Sequence, residues 1–395
     1  MVAAGTIATF LVAGGASLFM AWAIGAGSSG STPFAPAVGA NAISVMRAGF
    51  IVGLLGLAGA VLQGANVTEA VGRELIGNVT LSATAATVAL ITAAILVAIG
   101  VFAGYPIATA FTVTGAVVGV GLAMGGTPAW AKYQEIVALW VATPFIGGSI
   151  AYATARMLRN ERVAERYAVP ILAGLVGAIL ANVEFVLLGP PGEATSLAGT
   201  AATSVPSVDA TVATLGATLL GAVLVGLVLF WDLQKDPEAG QRHFLLVLGG
   251  LVAFSAGGSQ VGLALGPLLP LLDPFEIPIT AVLLGGGFGL LLGSWTGAPR
   301  MIKALAQDYS ALGPRRSIAA LIPSFAIAQT AVFFGIPVSF NEIIVSAIIG
   351  SGYAAGGSDV SGSKMGYTVL AWVASLALAL GLGYGVFTAV DLLLF

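Results

Sequence analysis

Cysteine is absent from this sequence, histidine occurs once, and charge is scarce. Without cysteine there is no disulfide, thiol nucleophile or thiolate ligand. The lone histidine, His243, builds no metal cluster and lies in the charged stretch 232–243, where a solvated side chain is its ordinary role. Charged residues fill 8% of the 395 positions, against about a quarter in a soluble domain. There is no nucleotide-binding P-loop and no cofactor motif, so an enzyme is the weakest reading. A net charge of −3 gives no basic surface for nucleic acid. The first basic residue is Arg47, so the N-terminal apolar run lacks the positive flank of a cleaved signal and reads as a mature helix.

Hydrophobic residues, by contrast, make up 58% of the chain. They fall in successive runs, among them 83–103, 168–188, 210–231 and 244–272. A helix needs about 20 mostly apolar residues to cross a bilayer. The runs predict an all-α membrane protein with roughly ten to twelve transmembrane helices, some broken or re-entrant. It is expected in the cell membrane as a multi-pass protein surrounded by lipid. Basic residues gather in 156–166, 232–243 and 300–316, which the positive-inside rule places in the cytoplasm. The stretch 189–209 has no Lys or Arg and is placed outside. Its Gly, Pro, Ser and Thr mark a linker between a first repeat, 1–188, and a second, 210–395.

Two pairs of segments support the repeat. GAGSSGSTPFAP begins at Gly25 and GGSQVGLALGP at Gly257, an offset of 257 − 25 = 232. GYPIATAF begins at Gly104 and GIPVSFNE at Gly335, an offset of 335 − 104 = 231. The basic stretch 300–316 corresponds to a first-half stretch near 68–85 that holds Glu69, Arg73 and Glu74. Opposite charge bias in equivalent loops predicts inverted halves. Inverted repeats with Gly- or Pro-interrupted helices mark secondary transporters, whose binding site lies where the interruptions meet. Residues 25–32 and 257–262 are therefore expected at helix breaks, where free N–H groups and small hydroxyls cradle an anion. The competing reading is that their small residues let helices pack closely.

These segments resemble the signatures of the inorganic phosphate transporter (Pit) family. FSAGGSQVGLALGPL is similar to the family's G-A-N-D-V-A-N-A type of motif. GYPIATAFTVTGAVVGVG and GIPVSFNEIIVSAIIGSG are similar to its G-x-P-V-S-T-T-H type. The resemblance spans both halves and implies an inverted-repeat carrier of a tetrahedral oxyanion that works as a homodimer. At the positions of the family's Asn, Asp and second Asn this chain has Gly27, Ser28 and Ser31, then Ser259, Gln260 and Leu263. At the Ser-Thr-Thr-His positions it has Ala108, Thr109, Ala110 and Phe111, then Ser339, Phe340, Asn341 and Glu342. Both family aspartates are absent, which weakens sodium coupling.

Phosphate near neutral pH keeps a proton and profits from an acceptor, whereas sulfate is a full dianion that a carboxylate would repel. The Gly- and Ser-rich first motif also resembles the family's sulfate permease branch. The expected function is a sulfate permease coupled to protons. Inorganic phosphate transport with Na⁺ or H⁺ is the alternative, and an anion channel or a non-transporting membrane partner is a further one. Expected substrate-binding residues are Gly27, Ser28, Ser29, Ser31, Thr32, Thr109, Gly258, Ser259, Gln260, Ser339 and Asn341. Glu342 is the expected proton-coupling group, since a carboxyl within the membrane is costly and marks function. Glu184, beside Asn182, reads as a structural carboxyl inside a span, Asp359 and Lys364 as loop charges, and Gln63 and Gln329 as interhelical hydrogen-bond partners.

Overall fold

The computed structural model describes residues 4–190, 193–205, 207–275, 277–357 and 360–394, so Asp359 lies outside the described residues. In lipid each backbone polar group must be satisfied within its own segment, and helices do so. The first seven are α1 (Ala4–Gly27), α2 (Ala35–Gly39), α3 (Val45–Gln63), α4 (Ala65–Arg73), α5 (Ala83–Ala103), α6 (Thr109–Ala123) and α7 (Trp130–Leu158). Next come α8 (Glu165–Ala181), α9 (Leu197–Ser204) and α10 (Ala210–Lys235). The rest are α11 (Pro237–Leu265), α12 (Ile279–Thr296), α13 (Ala298–Gln307), α14 (Pro314–Phe333), α15 (Phe340–Tyr353) and α16 (Gly362–Leu394). Two short antiparallel ladders, Ile76–Gly77 with Thr127–Pro128 and Glu184–Phe185 with Thr195–Ser196, tie loops together.

Nine of the described helices are long and apolar enough to span a membrane: α1, α3, α5, α7, α10, α11, α12, α14 and α16. α8 has 17 residues. α6 and α15 have 15 and 14 and follow an extended Gly-x-Pro segment. These three are shorter than the nine, and of them α6 is the one apolar over its whole length.

The repeat is visible element by element. α1 corresponds to α11, α3 to α12, α4 to α13, α5 to α14, α6 to α15 and α7 to α16, each starting 231 to 234 residues after its counterpart, with α11 and α16 running on past the points where α1 and α7 end. The short α2 corresponds to the 3-10 turn at Gly266–Leu271. Packing is reciprocal: α1 lies on α12 as α11 lies on α3, and α6 on α16 as α15 on α7. Between the two sets stand α8–α10. α8 and α10 pair as a hairpin, with the Asn182 Nδ2 donating to Thr218 Oγ1 at 2.9 Å.

The halves are inverted. The three basic stretches meet at one end of the molecule, where Arg315 donates to both Glu165 carboxylate oxygens at 3.0 and 2.8 Å and Gln241 donates to Glu165 at 3.0 Å. Arg242 Nε reaches the Ala42 carbonyl there at 2.9 Å. α13 packs on α2 and so lies at this basic end. Its counterpart α4 lies at the other end, where Arg73 pairs with Asp273 at 3.2 Å. α7 runs from one end to the other: Tyr133 in its first turn donates to the Leu75 carbonyl beside α4 at 2.6 Å, and Arg159 after its last turn faces Glu165 and Arg315. Equivalent elements thus occupy opposite ends, as the opposite loop charges predict.

Three expectations fail. Residues 257–262 are not a helix break. They lie inside α11, whose helical bonding continues to Leu265. Their glycines serve close packing instead: a Cβ on Gly257 would run into the Gly56 carbonyl of α3, and one on Gly25 into the Leu290 carbonyl of α12. Only residues without a Cβ let two backbones approach this closely. Glu184 also moves: α8 ends at Ala181, and Glu184 is half-buried in the ladder beyond it rather than inside a span. Lys364 sits in the first turn of α16, not in a loop.

Candidate functional site

Two helix starts and one helix end converge at the centre. α5 and α14 each stop at a glycine in the left-handed region, Gly104 with φ +74° and Gly335 with φ +60°. Glycine adopts that conformation without steric cost. The chain then runs extended through Pro106 or Pro337 and starts α6 or α15 at Thr109 or Phe340. No side chain caps either start at Ala108 or Ser339. The first-turn N–H groups of a helix have no acceptor within it, and they carry the positive end of its dipole.

The Gly-x-Pro segments are held from the opposite half. Trp140 Nε1 of α7 donates to the Pro337 carbonyl at 2.8 Å, and Trp372 Nε1 of α16 donates to the Pro106 carbonyl at 2.7 Å. The two bonds are repeat equivalents, since 372 − 140 = 232 and 337 − 106 = 231. Sequence reasoning missed both tryptophans, although the same offset, carried past residue 124, finds them.

Between the helix starts, Ser28 Oγ donates to Gln260 Oε1 at 3.1 Å. These positions are themselves equivalents (260 − 28 = 232), so the pseudo-two-fold axis passes between them. Thr109 Oγ1 donates to the same Gln260 oxygen at 2.7 Å and lies 3.4 Å from Ser28 Oγ. Gln260 Nε2 donates to the Val338 carbonyl. Asn341 Nδ2 donates to the Gly27 and Ile107 carbonyls at 2.9 and 2.7 Å. Ser28, Thr109, Gln260, Asn341 and Gly27 are thus brought into one cluster, with Ser339 beside Val338.

Two of the expected ligands are turned elsewhere. Ser31 Oγ and Thr32 Oγ1 both donate to the Ser28 carbonyl, at 3.2 and 3.0 Å. The break after α1 is wound into turns, with the Ser28 and Ser29 N–H groups on the Ile24 carbonyl and those of Ser31 and Thr32 on Ser28. Those four backbone donors are therefore engaged, and further donors come from the uncapped starts of α6 and α15. Gly258 presses on the Gln63 side chain. All of the sequence-expected site residues are buried. The hydroxyls of Ser29, Ser259 and Ser339, Asn341 Oδ1 and Glu342 Oε2 are buried without a hydrogen-bond partner among the described residues. Glu342, 2% exposed in the first turn of α15, is the one acidic or basic side chain that is buried among the described residues. Unpaired polar atoms at this depth are costly and point to a polar ligand.

Residues 6–383 match the Phosphate transporter family. The chain belongs to that family. A protein of Thermococcus kodakarensis named as a phosphate permease is 25% identical over 91% of this chain and 92% of its own length. The chloroplastic inorganic phosphate transporter 2-1 of Arabidopsis thaliana is 23% identical over 91% of this chain and 68% of its own. Among solved structures, a sodium-dependent phosphate transporter superposes with a TM-score of 0.81 at 23% identity, covering 98% of this chain and all of that one. The family is one of membrane transporters and not of enzymes, and the multi-pass architecture is shared. The expected sulfate permease branch finds no support in these relatives. The absent aspartates are a departure within a phosphate transporter family, and they do not by themselves mark another substrate.

Proposed function

We propose that the chain is a secondary transporter of inorganic phosphate and that a proton accompanies the anion through Glu342. The observation that carries this reading is the pair of unpartnered acceptors at the start of α15, Asn341 Oδ1 and Glu342 Oε2. Donors without partners are buried too: the hydroxyls of Ser29, Ser259 and Ser339 and the uncapped first-turn N–H groups of α6 and α15. Phosphate presents oxygens that accept and a P–OH that donates, whereas sulfate only accepts. Donors together with acceptors suit phosphate. The two family aspartates are absent, but Asn341 and Glu342 supply acceptors in their place. Family membership and the names of the relatives support the same substrate.

Sodium, which the structural neighbour's name carries, is the alternative coupling ion. Purified protein in proteoliposomes decides both points. Labelled phosphate is expected to accumulate under an inward proton gradient, and unlabelled sulfate to compete roughly tenfold less well than phosphate, a difference of about 1.4 kcal/mol. Equal competition by sulfate overturns the substrate. Accumulation under a sodium gradient alone overturns the proton.

A further inference from the structure

A cavity of about 530 Å³ opens at the end of the molecule opposite the basic loops, and its lining includes Asn66, Asn182, Glu184, Gln63 and Gln329. Asn182 and Glu184 belong to the stretch between Arg166 and Lys235, which contains no Lys or Arg and so faces the exterior. Gln63 and Gln329 stand at its inner edge. Their amides bond to each other in both directions, Gln63 Nε2 to Gln329 Oε1 at 3.3 Å and Gln329 Nε2 to Gln63 Oε1 at 3.2 Å. Gln329 Nε2 also donates to Ser255 Oγ at 2.6 Å, and the Gln63 side chain lies against Gly258. Ser255 stands one helical turn from Ser259 on α11, on the same face. Ser259 is fully buried and its hydroxyl has no partner among the described residues. A chain of polar groups therefore leads from the cavity, through the amide pair, to Ser255, Ser259 and the central cluster.

We propose that this cavity is the external vestibule through which the anion reaches the site, and that the Gln63–Gln329 amide pair is the gate at its inner edge. The proposal rests on the transport reading above. In the closed pair each amide donates to the other, and Gln63 Nε2 also donates to the Glu184 carbonyl at 2.8 Å, which ties the pair to the cavity wall. When it parts, both side chains offer N–H donors to an anion that has shed water. Among the described residues, the equivalent positions toward the inner end do not repeat this path. The repeat equivalents of Gln63, Ser255 and Gln329 are Trp295 (63 + 232), Ala23 (255 − 232) and Ala98 (329 − 231). Two are alanines, and Trp295 Nε1 is turned to the Phe50 carbonyl at 3.2 Å. The halves share a fold, and only the exterior side carries the polar relay.

The natural absence of cysteine makes the test direct. Ser259→Cys is placed in the full chain, and a membrane-impermeant thiol reagent is applied to one face of oriented vesicles at a time. With the gate intact, labelling is expected to be slow. Adding Gln63→Ala and Gln329→Ala is expected to raise the rate from the Glu184 face by about tenfold, since thiol reaction follows exposure. Unchanged labelling, or labelling from the basic face, overturns the gate. Should the alanine pair fail to fold, Gln63→Leu with Gln329→Leu keeps the volume. That pair, without the cysteine, is expected to retain equilibrium phosphate binding while uptake falls about tenfold, because polar side chains no longer replace water on the way in. Normal uptake in it overturns the gate as well. Labelling requires no phosphate, so failure of the unaltered protein to bind phosphate would sink the substrate reading and leave the gate to be judged by its own result.

Discussion

Ser28 and Gln260 occupy equivalent places and bond to each other, so each half supplies one residue to a single shared centre. Around them the chain has hydroxyls and amides where a charged ligand set would be expected, and Glu342 is left as the one buried carboxyl among the described residues. Its place at the start of α15 puts a carboxylate near a dipole end that also favours the anion. In the transport reading proposed above, Glu342 with a proton on it is neutral and would not repel phosphate. When the proton leaves toward one side, the charge returns. Glu342→Gln fixes the neutral form with little change of shape. It is expected to keep phosphate exchange between equal pools within roughly threefold, since the hydrogen-bonding side chain is retained. Accumulation driven by an inward proton gradient is expected to vanish, as is the dependence of uptake on pH. Accumulation that survives with a normal pH profile would make Glu342 a structural carboxyl.

At the scale of elements, the Gly-x-Pro segments set the positions of the α6 and α15 starts, and each is tied by a tryptophan of the other half. Trp140 also stacks on Phe111 with ring centroids 3.9 Å apart, so Trp140→Phe keeps an apolar ring and loses the N–H donor. Leaving a buried carbonyl unpaired costs on the order of 1–3 kcal/mol. The effect is expected to cross between halves: Trp372→Phe should speed amide exchange in 105–108 and leave 336–339 unchanged, and Trp140→Phe should do the reverse. Exchange that rises in both segments, or in neither, would show that the bonds do not hold them. Much of this was legible in the sequence. The offset of 231–232 located both Gly-x-Pro segments, and Thr109, Gln260 and Asn341 do meet at the centre. Residues 257–262 were misread because Gly-Gly-Ser looks alike at a break and at a close crossing. What separates the two is the α3 backbone at Gly56, a tertiary fact that no local pattern carries. Ser31 and Thr32 were placed in the site by motif position, but a hydroxyl that can reach the carbonyl three or four residues back commonly does so, and these two do.

For the whole molecule, inversion is the property on which two-sided access depends, and α4 and α13 test it most directly. Both are short helices with one buried and one exposed face, and they are equivalent in the repeat. α4 carries Glu69 and Arg73, which pair with each other at 3.2 Å, and its end of the molecule holds no net positive excess in that helix. α13 carries Arg300 and Lys303 and lies with the other basic loops. Charge bias alone orients them oppositely, and the packing of α13 on α2 and of α4 beside Asp273 does so independently. Glu69 and Lys303 are both exposed, so neither substitution disturbs a core. Glu69→Cys and Lys303→Cys, made separately, each give a protein with a single thiol. In intact cells an impermeant thiol reagent is expected to label Glu69→Cys at once and Lys303→Cys only after the membrane is opened. Labelling of both before lysis, or of neither, would mean that the equivalent helices lie on the same side. The halves would then be related by an axis along the membrane normal, and the separation of a polar exterior path from an apolar inner end would lose its structural basis.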